Sequence, residues 1–336
     1  MKENFKAVCI GGGCGASQVM AGLKAYTKQI TGIIAVTDSG RSTGKIRIAM
    51  NVPAPGDIRN ALVTRSDGDP VFKQLFQHRF SSEKLHELDG MAFGNLFLAA
   101  LTQMTGSFEL AVKEATRLLQ LTGRVLPVTL YSTHLCAELA DGTVVQEEFN
   151  VRALNKPPIK RVFLQHPDIE AYRDCMDALQ EADLITIGPG SLYTTVIACL
   201  LVKGVAKAIV ESRAVRVYVC NTTTQPGQTD GLSLSQHVSE VLNYLGSGAI
   251  DYALINSSSP PEDLRRKYAE DGVYLLEPHP EEVQRIQDMG ITPVLADFVD
   301  ATAGKRSLWE KQDSVRHVPE RVAAELVKLI QVTERE

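Results

Sequence analysis

The stretch AVCIGGGCGASQVMAGL, residues 7–23, decides the fold, because a short apolar run leads into a cluster of glycines and then into a helical pattern. Gly11, Gly13 and Ala16 have the Gly-x-Gly-x-x-Gly/Ala spacing, in which backbone N–H groups approach a phosphate at a helix N-terminus. A second β-branched run, ITGIIAVT at 30–37, follows. This order predicts strand, helix and strand, with the glycines at the first turn. The loop alone leaves open a dinucleotide site, another phosphate cradle and a structural turn.

The alternation of strands and helices continues late in the chain. Four more strand patterns precede helical patterns: DLITIGPG (183–190), VRVYVCNTT (215–223), DYALIN (251–256) and ITPVLADF (291–298). Alternating segments around Asp141-Gly142 interrupt the series and predict an antiparallel hairpin at about 130–152. We therefore predict one α/β domain over residues 1–336, Rossmann-like, with a doubly wound, mostly parallel sheet and that inserted hairpin.

Composition excludes several classes of protein. Hydrophobic residues make up 44% and charged residues 22% of the 336 residues, which is typical of a soluble globular chain. The formal net charge of −5 argues against a nucleic-acid partner. The apolar region from Val196 to Val210 is interrupted by Lys203 and Lys207, so we expect no membrane span and a cytoplasmic protein. The residues alone indicate no cofactor and no zinc site, and they leave a homo-oligomer open.

Two early loops carry polar residues where a parallel sheet binds ligands, beyond the carboxyl ends of its strands. In TDSGRSTGK (37–45), Asp38 stands where a dinucleotide fold keeps its ribose-binding acid. The hydroxyls, glycines and cations that follow indicate a second oxyanion loop or a solvated turn, with Asp38 available to a metal. In PAPGDIRNAL (53–62), Asp57 either caps the next helix or binds a ligand, and the polar Arg59 and Asn60 favour a functional loop.

Two later loops add a different chemistry. IGPGSLYTT (187–195) places glycines at a strand-to-helix junction, which is typical of an anion site. CNTTTQPGQTDGLS (220–233) is rich in hydroxyls and amides and has almost no charge. Such side chains suit a ribose, a base or a sugar better than a bare phosphate.

These motifs, with FGNLFLAAL (93–101) and GRVLPVT (123–129), resemble the CofD-like superfamily, and more closely its YvcK branch, the gluconeogenesis factors. The resemblance extends from about Phe5 to Ile330. It implies a cytoplasmic protein that binds UDP-sugars, notably UDP-N-acetylglucosamine, and supports cell shape and growth on gluconeogenic carbon sources. The CofD branch is instead a Mg²⁺-dependent transferase that moves a phospholactyl-type group from a guanosine diphosphate ester to an alcohol acceptor.

The resemblance also implies roles for single residues. Asp38 and Asp57 are the nearest equivalents of the CofD metal ligands, and Tyr268 and Arg316 occupy positions at which YvcK proteins hold the nucleotide sugar. The predicted nucleotide-binding residues are Gly12, Gly13, Gly15, Ser17, Asp38, Ser39, Gly40, Ser42, Thr43, Asn95, Gly188, Gly190, Ser191, Asn221, Thr223, Tyr268 and Arg316.

Three departures from the family pattern bear on the function. The usual DDGGSSG reads DSGRSTG, with Ser39 in place of an acid and Arg41 in place of a glycine, and the usual His of GHSxGNL is Met91. A lost carboxylate and a lost histidine argue against CofD chemistry. We therefore expect a UDP-sugar-binding protein. The alternative is a CofD-like Mg²⁺-dependent transferase, and a hydride-transfer enzyme is disfavoured because no residue set positions a hydride acceptor.

Overall fold

The computed structural model describes residues 4–82, 84, 86–299 and 316–333, and at its centre lies a seven-stranded parallel sheet. The strands are β1 (Ala7–Gly11), β2 (Ile30–Ile34), β3 (Arg124–Pro127), β4 (Leu135–Leu139), β5 (Val144–Gln146), β6 (Ile159–Leu164), β7 (Leu184–Ile187), β8 (Val215–Val219), β9 (Tyr252–Asn256) and β10 (Thr292–Ala296). The large sheet has the order β10-β9-β8-β7-β1-β2-β3, and β5-β4-β6 form a second, antiparallel sheet.

Helices cover both sides of the parallel sheet. They are α1 (Gly15–Leu23), α2 (Arg41–Met50), α3 (Pro55–Arg65), α4 (Pro70–Gln77), α5 (Phe93–Thr105), α6 (Phe108–Leu118), α7 (Glu148–Val151), α8 (Arg173–Gln180), a π-helix (Leu192–Ile197) that leads into α9 (Ala198–Leu200), α10 (Val205–Glu211), α11 (Leu234–Leu245), α12 (Glu262–Glu270), α13 (Pro280–Asp288) and α14 (Pro319–Thr333). The predicted Rossmann-like, doubly wound architecture is confirmed.

The strand order reverses at β1. From β1 the chain builds outward through β2 and β3, and it later returns to the other side of β1 and builds outward again from β7 to β10. β1 pairs in parallel with both β2 and β7, so the two halves of the sheet diverge at the boundary between β1 and β7. Helices that follow the two strands leave toward opposite faces, which opens a crevice above their carboxyl ends.

Burial on both faces explains the composition of the central strands. Every residue of β1, β2 and β7 is buried, and the sequences AVCIG, ITGII and LITI are nearly all apolar or β-branched. A strand covered by helices on both faces has no solvent side, so its sequence shows a continuous apolar run instead of alternation. The glycine loop follows β1 directly, so it begins at a backbone that is held in place by packing on both faces of the sheet.

The small sheet is larger than the predicted hairpin. β4 and β5 pair across the Asp141-Gly142 turn, where Gly142 has φ of 87°, and β6 pairs antiparallel with the other edge of β4. β6 lies outside the predicted span of 130–152. Lys160 and Arg161 in β6 are both exposed and both contact Glu138 on β4, so the segment has only a weak apolar pattern.

Three local features refine the predicted helices. Ser107 caps α6 as expected, its hydroxyl accepting from the Leu110 amide. The helix predicted after Ser191 begins as a π-helix. Asp57 lies in the first turn of α3 behind the N-cap Ala54, so Asp57 does not cap this helix. Among the described residues, no helix is both long and apolar enough to span a bilayer.

Candidate functional site

A crevice of about 220 Å³ lies at the boundary between β1 and β7. It is lined by the start of α1, by the loops after β7 and β8, by one side of α3 and by the segment before α14. The lining residues are Cys14, Gly15, Gln18, Asn60, Thr64, Gln77, Pro189, Gly190, Asn221, Thr222, Thr223, Gln225, Arg316 and His317. Five of the predicted residues therefore meet in one crevice: Gly15, Gly190, Asn221, Thr223 and Arg316.

The glycine loop forms the floor of the crevice, and glycine is required there by packing. A Cβ on Gly15 would overlap the Pro189 carbonyl, and one on Gly13 would overlap the backbone of Asp57. A Cβ on Gly12 would lie 2.6 Å from Thr195 Cγ2. The loop is therefore held between α3 and the segment after β7, with the N-terminus of α1 directed at the crevice. An anion is stabilised at such an end by the unpaired backbone N–H groups.

The loop after β8 forms a neutral wall. Asn221 Nδ2 donates to the Gly190 carbonyl at 2.8 Å, which ties this wall to the loop after β7. The hydroxyl of Thr223 is buried and has no hydrogen-bond partner. Ser191 takes a structural position behind the wall, since its hydroxyl donates to Gln228 Oε1 at 2.7 Å and accepts from Thr194. Amides and hydroxyls of this kind can both donate to and accept from a ligand.

Arg316 and His317 close the crevice from the side of α14. The Val318 amide donates to the Phe298 carbonyl at 2.6 Å, which fixes the backbone of this segment against the end of the sheet. Burial lowers the pKa of His317 to about 4, so the ring is neutral near pH 7, and its buried Nε2 has no hydrogen-bond partner. Arg316 is exposed and is the cationic side chain among the described residues that line the crevice.

Tyr268 lies apart from this crevice. It is 6% exposed and packs with Val273 and Val299 in a small apolar cluster. It is absent from the described residues that line the crevice. Its predicted contact with the nucleotide sugar stays a prediction.

Seven of the other predicted residues form a second group, which we call the α2/α5 cluster: Asp38, Ser39, Gly40, Ser42, Thr43, Asp57 and Asn95. Asp38 and Asp57 are 5% and 8% exposed. Asp38 Oδ1 accepts from the Gly40 amide at 2.9 Å. Asn95 Nδ2 donates to Ser42 Oγ at 3.1 Å and to Thr43 Oγ1 at 3.2 Å, so α5 holds the first turn of α2. The sequence predicted one site, whereas the structure places five of its residues in the crevice and these seven in a separate cluster.

Three of the predicted residues have local surroundings that bear on their role. Ser39 Oγ accepts from the Phe149 amide at 3.1 Å and so joins the loop after β2 to α7. Ser17 is fully buried in the first turn of α1, and its hydroxyl has no hydrogen-bond partner. Gly188 follows β7 with φ of 75°, a conformation that glycine adopts without strain.

Arg59 is the main residue that the predicted set omits. It lies on α3 between the crevice and the α2/α5 cluster, it is 4% exposed, and Nη2 donates to Asn60 Oδ1 at 2.8 Å. Its Nε and Nη1 atoms have no hydrogen-bond partner. Burial lowers the pKa of Arg59 to about 10, and the nearby charge of Arg79 adds to the effect, while Asp57 opposes it. The polar residues of PAPGDIRNAL were the signal that could have identified Arg59 as a site residue. Its burial was not expected, because a charged residue on a helix usually lies in solvent.

The donor set suits one kind of metal. Among the described residues no three His, Cys, Asp or Glu side chains gather in a metal-binding group. Asp38 and Asp57 are two buried carboxylates whose loops touch, because a Cβ on Gly56 would lie 2.7 Å from Asp38 Oδ2. Mg²⁺ binds through one or two carboxylates together with substrate phosphates and water. The two aspartates therefore fit Mg²⁺ that arrives with a phosphorylated ligand, and they do not fit a protein-only cage.

Fold and site together define a doubly wound α/β protein with a crevice at the switch point of its sheet, the boundary between β1 and β7 where the strand order reverses. The family described as 2-phospho-L-lactate transferase CofD matches residues 7–299. The gluconeogenesis factor of Bacillus subtilis is 38% identical over 330 residues, which cover 98% of this chain and 99% of that protein. The gluconeogenesis factor of Halalkalibacterium halodurans is 37% identical and covers 96% and 95%. A crystal structure of a Bacillus halodurans protein superposes with a TM-score of 0.88 at 35% identity, covering 97% of this chain and all of that one.

The chain belongs to the CofD family, and within it to the group of the gluconeogenesis factors. The family resemblance expected from the motifs is confirmed over nearly the full length of the chain.

Proposed function

We propose that the protein binds a nucleotide sugar, UDP-N-acetylglucosamine or UDP-glucose, in the switch-point crevice. One observation carries the proposal. The crevice joins a glycine-rich helix N-terminus to a wall of neutral amides and hydroxyls, with the cationic side chain of Arg316 at its edge. A diphosphate needs the first and the last of these features, whereas a uracil, a ribose and a sugar need the second.

The parts of the ligand have natural places in this arrangement. The diphosphate meets the N-terminus of α1 at Gly15, and the guanidinium of Arg316 holds two of its oxygens in a bidentate contact. The polar groups of the base and the sugar face Asn221, Thr223 and Gln225. The buried, unpartnered Thr223 hydroxyl gains a hydrogen bond in this pose, which favours a ligand that offers polar atoms at this depth.

Titration calorimetry tests the proposal with four ligands: UDP-N-acetylglucosamine, UDP-glucose, NAD and GDP. We expect the UDP-sugars to bind and NAD to bind more weakly or not at all. In Arg316→Ala, the affinity for UDP-N-acetylglucosamine should fall by about 30-fold or more, since a hydrogen bond to a charged group contributes about 1.5–3 kcal/mol. The melting temperature should stay unchanged, because Arg316 is exposed.

The same titration contains the results that contradict the proposal. Unchanged affinity and a lower melting temperature in Arg316→Ala would make this residue structural, and binding of NAD alone would exclude the nucleotide-sugar assignment. Tyr268→Phe provides a matched comparison outside the crevice lining. If the Tyr268 hydroxyl contacts the ligand directly, the affinity of Tyr268→Phe for UDP-N-acetylglucosamine must fall. If only the melting temperature changes, Tyr268 serves in packing alone.

A CofD-like transferase is the second candidate, and the two buried carboxylates favour it. Asp38 and Asp57 would hold Mg²⁺, which when bound neutralises the charge of a diphosphate ester. Against this activity, Met91 packs in an apolar cluster with Ile46 and Ala99, so its position offers no acid or base. Release of GMP from a guanosine diphosphate ester in the presence of Mg²⁺ and an alcohol acceptor would establish the transferase activity. If no GMP is released, the nucleotide-sugar-binding function is the one retained.

The proposal extends to the cell. We propose that ligand binding in the crevice supports growth on gluconeogenic carbon sources and normal cell shape. A deletion strain complemented with the wild-type protein or with Arg316→Ala tests the link. The two complemented strains must contain equal amounts of the protein. Full rescue by the variant that no longer binds UDP-sugars would separate the cellular role from this crevice.

A further inference from the structure

One side of the crevice, formed by α1, α3 and α4, has no part in the proposed pose of the ligand. α3 packs against both α1 and α4. Asn60 and Thr64 are four residues apart on α3, so they lie on one face of this helix, and both line the crevice. Gln18 of α1 and Gln77 at the end of α4 line it as well. We call these four residues the α3 wall.

The α3 wall is neutral, although charged residues are its neighbours along the chain. Its side chains are three amides and one hydroxyl. Arg59, Arg65 and Asp67 are absent from the crevice lining in the part of the chain that the structure describes. Amides and hydroxyls both donate and accept hydrogen bonds and offer no charge. The wall therefore suits an uncharged group with several hydroxyls better than it suits a second phosphate.

The orientation of the Asn60 amide is fixed by its neighbour Arg59. Arg59 Nη2 donates to Asn60 Oδ1 at 2.8 Å. A guanidinium can only donate, so the atom that it contacts must be the amide oxygen, and the amide cannot turn over without losing this bond. Among the described residues Asn60 Nδ2 has no hydrogen-bond partner, so both of its N–H groups remain for a ligand. They require an acceptor, such as a hydroxyl or a carbonyl oxygen.

The hydroxyl of Thr64 is not used to stabilise its own helix. A threonine on a helix commonly donates to the carbonyl four residues earlier, as Thr102 of α5 does to Leu98 at 2.7 Å. Thr64 makes no such bond, and its hydroxyl has no other hydrogen-bond partner within the described ranges of the chain. The hydroxyl therefore keeps its full capacity to donate and accept at the crevice.

The N-terminus of α1 lies between the α3 side of the crevice and the loops after β7 and β8. A Cβ on Gly15 would overlap the Pro189 carbonyl on one side, and a Cβ on Gly13 would overlap the backbone of Asp57 in α3 on the other. A diphosphate at this helix end therefore has a neutral wall on each side. A nucleotide sugar carries one substituent at each end of its diphosphate, whereas a nucleoside diphosphate carries only one and leaves the α3 wall without a contact.

We propose that the α3 wall binds the hexose of the nucleotide sugar, with Asn60 as the principal donor, and so selects a nucleotide sugar over a nucleoside diphosphate. The inference rests on the proposed function, in which the diphosphate meets Gly15. The hexose then lies between the α3 wall and the loop after β8, which contacts its other side. Arg59 is a positioning residue, because it acts through the amide of Asn60.

Calorimetry with UDP-N-acetylglucosamine, UDP-glucose and UDP measures what the hexose contributes to binding. We expect the wild type to bind both UDP-sugars more tightly than UDP. Thr64→Val keeps the shape of the side chain and removes its hydroxyl, so the affinity for the UDP-sugars should fall by roughly 2- to 10-fold, the range of one neutral hydrogen bond. Asn60→Ala should lower it at least as much. The affinity of both variants for UDP should stay within about twofold of the wild type.

Two further variants serve as controls. Thr102→Val removes a helical hydroxyl that does not line the crevice, and it should leave the affinity for all three ligands unchanged. Arg316→Ala should weaken the binding of UDP and of the UDP-sugars by the same factor, because the diphosphate is common to all three ligands.

The melting temperature separates loss of a ligand contact from loss of stability. Asn60→Ala leaves Nη2 of the buried Arg59 without its acceptor, so this variant should also unfold at a lower temperature. Thr64→Val and Gln77→Met change exposed side chains and should unfold as the wild type does. These two variants therefore test the α3 wall even if Asn60→Ala fails to fold.

The three ligands distinguish failure of this inference from failure of the proposed function. Equal affinities of the wild type for UDP and for the UDP-sugars would overturn the inference and leave a nucleotide site in the crevice. The inference is also wrong if the α3-wall variants weaken UDP as much as the UDP-sugars, or if they weaken neither. If none of the three ligands binds to the wild type, the proposed function is overturned and this inference with it.

Discussion

At the scale of single residues, the glycine loop is defined by what its neighbours exclude. Gly13 and Gly15 each face a main-chain segment, the first of α3 and the second after β7. A backbone cannot move aside as the end of a flexible side chain can, so even one methyl group forces a shift of α1 or of its neighbour. Gly13 and Gly15 therefore set how closely α1 approaches α3 and the segment after β7, and they also leave backbone amides accessible to a ligand.

Gly15→Ala is expected to lower the free energy of unfolding by about 2–3 kcal/mol, because the added methyl overlaps the Pro189 carbonyl. Urea denaturation measures the change. Gly40→Ala is the matched control, since the nearest atom to its Cβ, Asp38 Oδ1, lies at 3.4 Å. Its cost should stay below about 1 kcal/mol, which alanine incurs as a poorer N-cap. Equal effects of the two substitutions would contradict the steric account.

At the scale of elements, α14 brings the last part of the described chain to the crevice. It packs against α1 so closely that a Cβ on Gly22 would overlap the Pro319 carbonyl and lie 3.0 Å from Ala323 Cβ. Arg316 and His317 directly precede α14 and line the crevice. The position of these two residues therefore depends on a contact at the opposite end of α1 from the glycine loop.

Gly22→Ala is expected to weaken UDP-N-acetylglucosamine binding by roughly 3- to 10-fold, although Gly22 does not line the crevice, because α14 and Arg316 are displaced together. Calorimetry measures the affinity, and thermal unfolding should show a lower melting temperature. In Gly32→Ala the atoms nearest to the added methyl group belong to the flexible side chains of Met20 and Ile34, so stability should fall while affinity is retained. Loss of affinity in both variants would point to general loosening of the fold.

Sequence patterns predicted the helices and strands better than the tertiary contacts between them. The apolar runs of β1 and β7 and the cap at Ser107 follow from local chemistry, which the chain carries in a few consecutive residues. β6 was missed because Lys160 and Arg161 break its apolar pattern. The burial of Arg59 was also beyond prediction, since it depends on α5 packing against α3 across a long stretch of intervening chain, and no local pattern encodes that contact.

At the scale of the whole molecule, the reversal of strand order at β1 explains why the predicted residues lie in two separate groups. Loops after β1, β7 and β8 meet in the crevice, whereas loops after β2 and before α5 meet in the α2/α5 cluster. The glycine loop and the start of α3 lie between them, with Asn60 on one side and Asp57 on the other.

The pH dependence of stability also belongs to the whole molecule, because three histidines in separate places act in the same direction. Burial lowers the pKa of His134, His237 and His317 below the ordinary value of 6.5, and to about 4 for His317. Between those values the unfolded chain binds more protons than the folded one, so the free energy of unfolding decreases as the pH falls below about 6.5. Acids whose pKa is lowered, such as Asp67, add to the loss only at more acidic pH.

Urea denaturation at about pH 7.5 and about pH 5 measures this loss, and the largest part should come from His317 because its pKa shift is the largest of the three. His317→Gln should therefore reduce the difference in unfolding free energy between the two pH values, even if the variant is less stable at both. An undiminished pH dependence in His317→Gln would mean that the ring beside Arg316 takes up its proton without unfolding, and that the crevice admits a charged histidine.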